Sequence, residues 1–129
     1  MPAAYLDTSV MIAIAFGEPA GKSMARKLKP VTRLYSSNLL EAEFRAAAWR
    51  EGHGDEVCTV LRPLRWVMPS RPLEPEFRRV LEHGYVRGAD LWHLASALFL
   101  APEPGQLAFY SLDRRQAEVA RKLGFVVPR

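Results

Sequence analysis

Five short strand-like runs alternate with segments of helical length, and no other property of this chain restricts its fold as much. The runs are Ala3 to Leu6, Arg33 to Ser36, Leu64 to Met68, Ala108 to Leu112 and Phe125 to Val127. Between them lie Thr8 to Phe16, Ala20 to Leu28, Asn38 to Arg50, Asp55 to Leu61, Glu74 to His83, Gly88 to Leu100 and Arg114 to Leu123. These carry helical patterning and end at Gly or Pro punctuation such as Gly17-Glu18-Pro19, Gly52-His53-Gly54 and Pro102-Glu103-Pro104-Gly105. Strands joined through helices cannot pair as hairpins. They need crossovers, so the expected fold is α/β, with five mostly parallel strands flanked by helices. With 129 residues and 49% hydrophobic content, one domain spanning 1–129 with a real core is expected.

That architecture gives the acidic residues a meaning. Ligands of an open parallel sheet bind beyond the carboxyl ends of its strands. Asp7 ends the first run, Asp113 ends the fourth, and Asp90 opens the stretch leading to Leu100; these are three of only four aspartates. Converging carboxylates repel one another and call for a cation. Hard divalent ions such as Mg²⁺ and Mn²⁺ want oxygen ligands of this type. Phosphodiester chemistry is a common use of such a site. Each acid also has a plainer reading as a helix cap. For Asp113 a capping box with Gln116 fits the spacing.

Glu43 is the fourth candidate. At about 100° per residue, Leu39, Leu40, Phe44, Ala46, Ala47 and Ala48 share one broad apolar arc of their helix. Glu43 falls inside that arc and Glu41 at its edge. A carboxylate there needs a cation or hydrogen-bond donors. The structural alternative to a metal or catalytic role is a pair with Arg50.

Four segments, taken in order, resemble the successive acidic motifs of PIN-domain nucleases. They are Tyr5-Leu6-Asp7-Thr8-Ser9, Ser36-Ser37 with Ala42-Glu43-Phe44, Ala89-Asp90-Leu91-Trp92-His93-Leu94-Ala95, and Ser111-Leu112-Asp113-Arg114-Arg115. The chain is most similar to the small single-domain VapC-type toxins of toxin–antitoxin pairs. The resemblance implies a PIN-like three-layer sandwich with a five-stranded sheet. It implies Mg²⁺ or Mn²⁺ at Asp7, Glu43, Asp90 and Asp113, and cleavage of RNA. It also implies a homodimer and a cognate antitoxin protein as partners. Two features depart from the pattern: the bulky Leu91-Trp92 after Asp90, and the extra acid Glu41.

Several neighbours are secondary candidates. Thr8, Ser9 and Ser111 stand beside the acids, either to hydrogen-bond them or as ordinary caps and turns. Arg114 and Arg115 follow Asp113 at a helix start, either as contacts to an RNA backbone or as solvated surface. His93 has no histidine or cysteine at zinc-ligand spacing and reads as a structural histidine. Trp49, Trp66 and Trp92 read as core or interface residues.

Charge and cysteine content set the context. Lys+Arg number 18 against Asp+Glu 14, a net charge of +4, which suits a polyanionic partner. Cys58 is the only cysteine, so no disulfide framework or thiolate site is expected, and a reducing cytoplasm is. Val10 to Phe16 is short and no Lys or Arg precedes it, a poor signal peptide. No stretch reaches the roughly 18 apolar residues of a membrane span.

The leading expectation is a metal-dependent endoribonuclease. The alternatives are a small-molecule phosphohydrolase, and an RNA- or partner-binding module with a vestigial acidic site.

Overall fold

The computed structural model describes residues 3–128. Its strands are β1 (Ala3–Leu6), β2 (Arg33–Ser37), β3 (Leu64–Val67) and β4 (Ala108–Tyr110). Its α-helices are α1 (Thr8–Ala15), α2 (Gly21–Leu28), α3 (Asn38–Arg50), α4 (Val57–Leu61), α5 (Glu74–His83), α6 (Gly88–Leu100) and α7 (Arg114–Leu123). The strands form one sheet in the order β3-β2-β1-β4, and every pairing is parallel.

Alternation along the strands gives the sheet two buried faces. Tyr5 and Phe109 point into a core shared with Val80 of α5, Leu94 and Leu98 of α6, and Val119 and Leu123 of α7. Ala4, Leu6 and Tyr110 point the other way, against Val10, Met24, Leu40, Phe44 and Leu61 of α1 to α4. The result is helices on both faces of the sheet, as the alternating pattern requires. Burying each large apolar side chain in these layers contributes about 1.5–3 kcal/mol. No helix among the described residues is long and apolar enough to cross a membrane.

The expected fifth strand does not form, so the sheet has four strands. Val126 makes one parallel bridge to Ala108, through Phe109 N to Val126 O and Val126 N to Leu107 O. The residues around it are committed elsewhere. The Leu107 N–H donates to Pro104 O at 3.0 Å, and the Gly124 N–H closes the end of α7 by donating to Arg121 O at 3.1 Å. Pro128 has no N–H to give a ladder. Gly124 permits that helix ending, because its φ of 108° lies in the left-handed region.

Gly21 fixes how α2 meets α1. A Cβ at this position would lie 2.2 Å from the Ala13 carbonyl oxygen, so only glycine lets the two helices approach this closely.

The strand order positions the site. The chain runs outward from β1 through β2 to β3, then returns to the far side of β1 as β4. The order therefore switches at β1, and crevices open at the carboxyl ends of strands beside such a switch.

Candidate active site

Asp7 follows the last residue of β1 and caps α1, its backbone extended at φ −89°, ψ 176°. Its N–H continues the sheet by donating to Tyr110 O. The carboxylate is 3% exposed and held by three donors. Ser9 Oγ donates to Oδ1 at 2.6 Å, Val10 N to the same oxygen at 3.3 Å, and Ser111 Oγ to Oδ2 at 2.6 Å. Burial pushes the Asp7 carboxyl above its ordinary range, while Ser111 and Ser9 pull it back. Capping and a place in the site therefore coexist in one side chain.

Asp90 is not a cap. The residue preceding α6 is Arg87, which makes no side-chain capping bond, and Asp90 sits inside the first turn. Its carboxyl is pushed up, first by burial and then by the charges of Asp113, Asp7 and Glu43, against a lowering by His93. Each of the other three acids thus acts on Asp90 as a like charge.

Asp113 is exposed and caps α7, its Oδ1 accepting from Gln116 N at 2.9 Å. The reciprocal half of a capping box is not made. The Asp113 N–H goes to Ser111 Oγ at 3.0 Å instead. Gln116, fully buried, spends its side chain on Ser111 Oγ and on the Asp90 carbonyl, 3.1 and 3.2 Å away. It ties α7 to α6 between two of the acids.

Glu43 lies in α3 with a side chain 40% exposed, and Thr8 Oγ1 donates to its Oε1 at 2.6 Å. His93 Nε2 is 3.8 Å from the same oxygen. His93 holds the Glu43 carboxyl below its ordinary range, Thr8 adds to this, and burial opposes it. Arg50 is not its partner; that side chain reaches Glu51 instead. The buried stripe of α3 is Leu40, Phe44 and Ala48, narrower than the arc expected, and Ala46 is exposed. Glu41 pairs with Arg45 at the surface, away from the other acids' partners.

Arg115 lines an open groove with Asp90, Asp113, Tyr85 and Arg87. Arg114 is exposed beside it on α7 and is not among the lining residues. Of the other residues here, Arg87 and Tyr85 are not marked in the sequence, and His93 is read from it as a structural histidine. Gln116 entered only as a possible cap. Arg87 and Tyr85 lie in the loop before α6, where the only signal was a polar-aromatic stretch between two helices. His93 stands three residues after Asp90 on α6, a spacing that puts both on one face. It is 2% exposed with both ring nitrogens engaged, Nδ1 with Tyr5 Oη at 2.7 Å and Nε2 with Thr8 Oγ1 at 3.1 Å. Of the tryptophans expected in core or interface, Trp49 is 81% exposed, and Trp66 and Trp92 are half-buried.

The donors gathered here are carboxylates and hydroxyls, a chemistry suited to Mg²⁺ or Mn²⁺ and unsuited to soft metals. Among the described residues, no three His, Cys, Asp or Glu side chains already form a cage for an ion. Mg²⁺ does not require one, since it is commonly held by one or two carboxylates, waters and substrate phosphates. The like charges that raise the Asp90 carboxyl are those a cation would offset.

No curated protein gives a significant match to the chain. A family model described as the PIN domain matches residues 4–122. The match spans both faces of the sheet and all four acids, so the chain belongs to the PIN-domain family, whose members are typically nucleases that use divalent metals.

Proposed function

We propose that this chain is a Mg²⁺- or Mn²⁺-dependent endoribonuclease, a single nuclease domain acting in the cytoplasm as the toxin of a toxin–antitoxin pair. The observation that carries the nuclease reading is the gathering of acids beyond the carboxyl ends of β1 and β4: Asp7 follows β1, Asp113 and Asp90 line one groove, and Asp90 feels Asp113, Asp7 and Glu43 as like charges. Asp7, Asp90, Glu43 and Asp113 would hold the ion, which when bound supplies positive charge to activate water and steady the phosphate.

The chain's own residues prepare for that. Ser9 and Ser111 fix both oxygens of Asp7. Thr8 fixes one oxygen of Glu43. Asp113, at the mouth of the groove, faces the same cleft as Asp90. Arg87 and Arg115 offer guanidinium forks to backbone phosphates, and Tyr85, 70% exposed, offers a ring face to an unstacked base. A single-stranded RNA suits a groove with both features. The toxin role, the antitoxin and the homodimer rest on the motif resemblance. The exposed Trp49, Met68 and Leu81 supply apolar surface for protein contacts.

The test is to incubate the purified chain with total RNA and Mg²⁺, Mn²⁺ or excess EDTA, and to map new ends. Cleavage with either ion, lost in EDTA and in Asp7→Asn, is expected. Undiminished cleavage in EDTA would overturn the reading. Binding of RNA without cleavage under any metal condition would favour the binding module.

A further inference from the structure

Behind the acids runs a chain of polar contacts of which the nuclease reading uses only the last, from Thr8 to Glu43. Tyr5, fully buried in β1, reaches His93 of α6; His93 reaches Thr8 at the start of α1; Thr8 reaches Glu43 of α3. Four elements are thus linked by three bonds of 2.7, 3.1 and 2.6 Å.

The direction of these bonds follows from what each group has to give. An ionised carboxylate only accepts, so at 2.6 Å the Thr8 hydroxyl spends its proton on Glu43 Oε1. Thr8 Oγ1 is then left to accept, and the group facing it is His93 Nε2, which must carry a proton. With one proton on the ring, Nδ1 is bare and accepts from the Tyr5 hydroxyl; with two, Nδ1 would donate to Tyr5 instead, the alternative that the spectra below separate. Tyr5 is suited to give it. Burial pushes its hydroxyl far above its ordinary range, so it stays protonated. The ring itself is held edge-on against Tyr5, with centroids 5.8 Å apart and planes at 75°.

We propose that Tyr5, His93 and Thr8 form a one-directional hydrogen-bond relay. It locks His93 as the Nε2–H tautomer and commits the Thr8 proton to Glu43 Oε1. His93 is therefore a positioning residue for Glu43, acting through Thr8, and not a proton donor to substrate. Its purpose rests on the nuclease reading, in which Glu43 must present one defined oxygen to the cleft. Its existence does not.

Two measurements test this on the full chain. In the first, ¹⁵N-histidine-labelled protein is kept metal-free in EDTA at neutral pH, and His93 is assigned by comparison with His93→Gln. Long-range ¹H–¹⁵N spectra should show a single Nε2–H form. Tyr5→Phe keeps the ring stacked on Phe109 but removes the donor to Nδ1. It should release His93 into the Nδ1–H form or a mixture of the two. A wild-type ring protonated on Nδ1 alone, or on both nitrogens, overturns the relay.

The second measurement is cleavage kinetics with Mn²⁺. Tyr5→Phe and Thr8→Val should each lower kcat at least about tenfold, the usual scale for groups that orient a ligand, with KM little changed. Thr8→Ser, which keeps the hydroxyl, should restore most of the rate. If Tyr5→Phe proves poorly folded, the Thr8 pair decides, since Val and Ser differ there in the hydroxyl that matters. Rates within twofold of wild type for both Tyr5→Phe and Thr8→Val overturn the positioning role. A wild-type chain that cleaves no RNA would count against the nuclease reading, while the relay would still stand or fall by the spectra.

Discussion

Ser111 Oγ lies 2.6 Å from Oδ2 of Asp7, although 104 positions separate the two residues. The same hydroxyl oxygen accepts from the Asp113 N–H at 3.0 Å. One serine therefore orients the acid at the end of β1 and shapes the turn that carries the acid at the start of α7. Ser111→Ala would free one oxygen of Asp7 and loosen that turn. Cleavage should fall about 10–100-fold, the range for groups that orient ligands. Circular dichroism should show the fold retained. A rate within twofold of wild type would count against the arrangement.

The four acids should differ from Glu41. Asp7→Asn and Asp90→Asn should each reduce cleavage by more than about 100-fold, beyond what orienting groups cost. Glu43→Gln should be nearly as severe. Glu41→Gln removes only an exposed, solvent-screened pair with Arg45 and should leave the rate nearly intact. Rates and melting temperatures measured side by side check this. A more damaging Glu41→Gln would reverse the assignment on α3.

Asp90 also sets a pH dependence of stability. Its folded carboxyl titrates above the ordinary aspartate range, because of burial and then the charges of Asp113, Asp7 and Glu43. Through that window the folded chain holds more protons than the unfolded one. Metal-free stability should therefore fall as pH rises through it, and the loss is complete above the folded pKa. Asp90→Asn removes this dependence. The variant should melt higher than wild type at neutral pH without metal, and the gap should close below the ordinary aspartate pKa. Mn²⁺ should raise the wild-type melting temperature, by an amount that grows with its concentration over Kd, and raise the variant's less. Equal Mn²⁺ shifts in the two proteins would show that Asp90 does not meet the ion.

Gly21→Ala tests the fold apart from the chemistry. The new methyl group would sit 2.2 Å from a carbonyl oxygen of α1, so the α1–α2 pair must separate. Overpacking of this kind costs about 1–3 kcal/mol. Urea unfolding should show a midpoint lowered accordingly, with the slope unchanged. A stabilised variant would mean that the two helices are not held this closely.

What was legible in the sequence follows from the range of the forces involved. The bounds of α3, α5, α6 and α7 agree with the sequence reading at both ends, because local residues such as Gly84 and Gly124 stop these helices. The loss of the fifth strand is hidden because it depends on the N–H groups of Leu107 and Gly124, which bond within their own turns instead of extending the ladder. Asp7 and Asp113 were visible as residues at strand ends, and their double use as caps is seen in the bonds to Val10 N and Gln116 N. The relay from Tyr5 to His93 spans 88 positions, and nothing local announces it. Glu43 drew attention as a carboxylate in an apolar arc, yet its neighbours Thr8 and His93 come from two other helices, and the Arg50 alternative faded with distance from them.

The strand order β3-β2-β1-β4 puts the first strand in the interior of the sheet and completes its second side with the last strand. A ribosome that has released residues as far as α6 has exposed Asp7, Glu43 and Asp90, but neither Ser111 nor Asp113. Until β4 docks, Asp7 lacks one of its two hydroxyl donors and one flank of β1 has no paired neighbour. A chain of this topology that cuts RNA would therefore assemble its full acidic site only once β4 and α7 have docked beside β1, well after Asp7, Glu43 and Asp90 have been made.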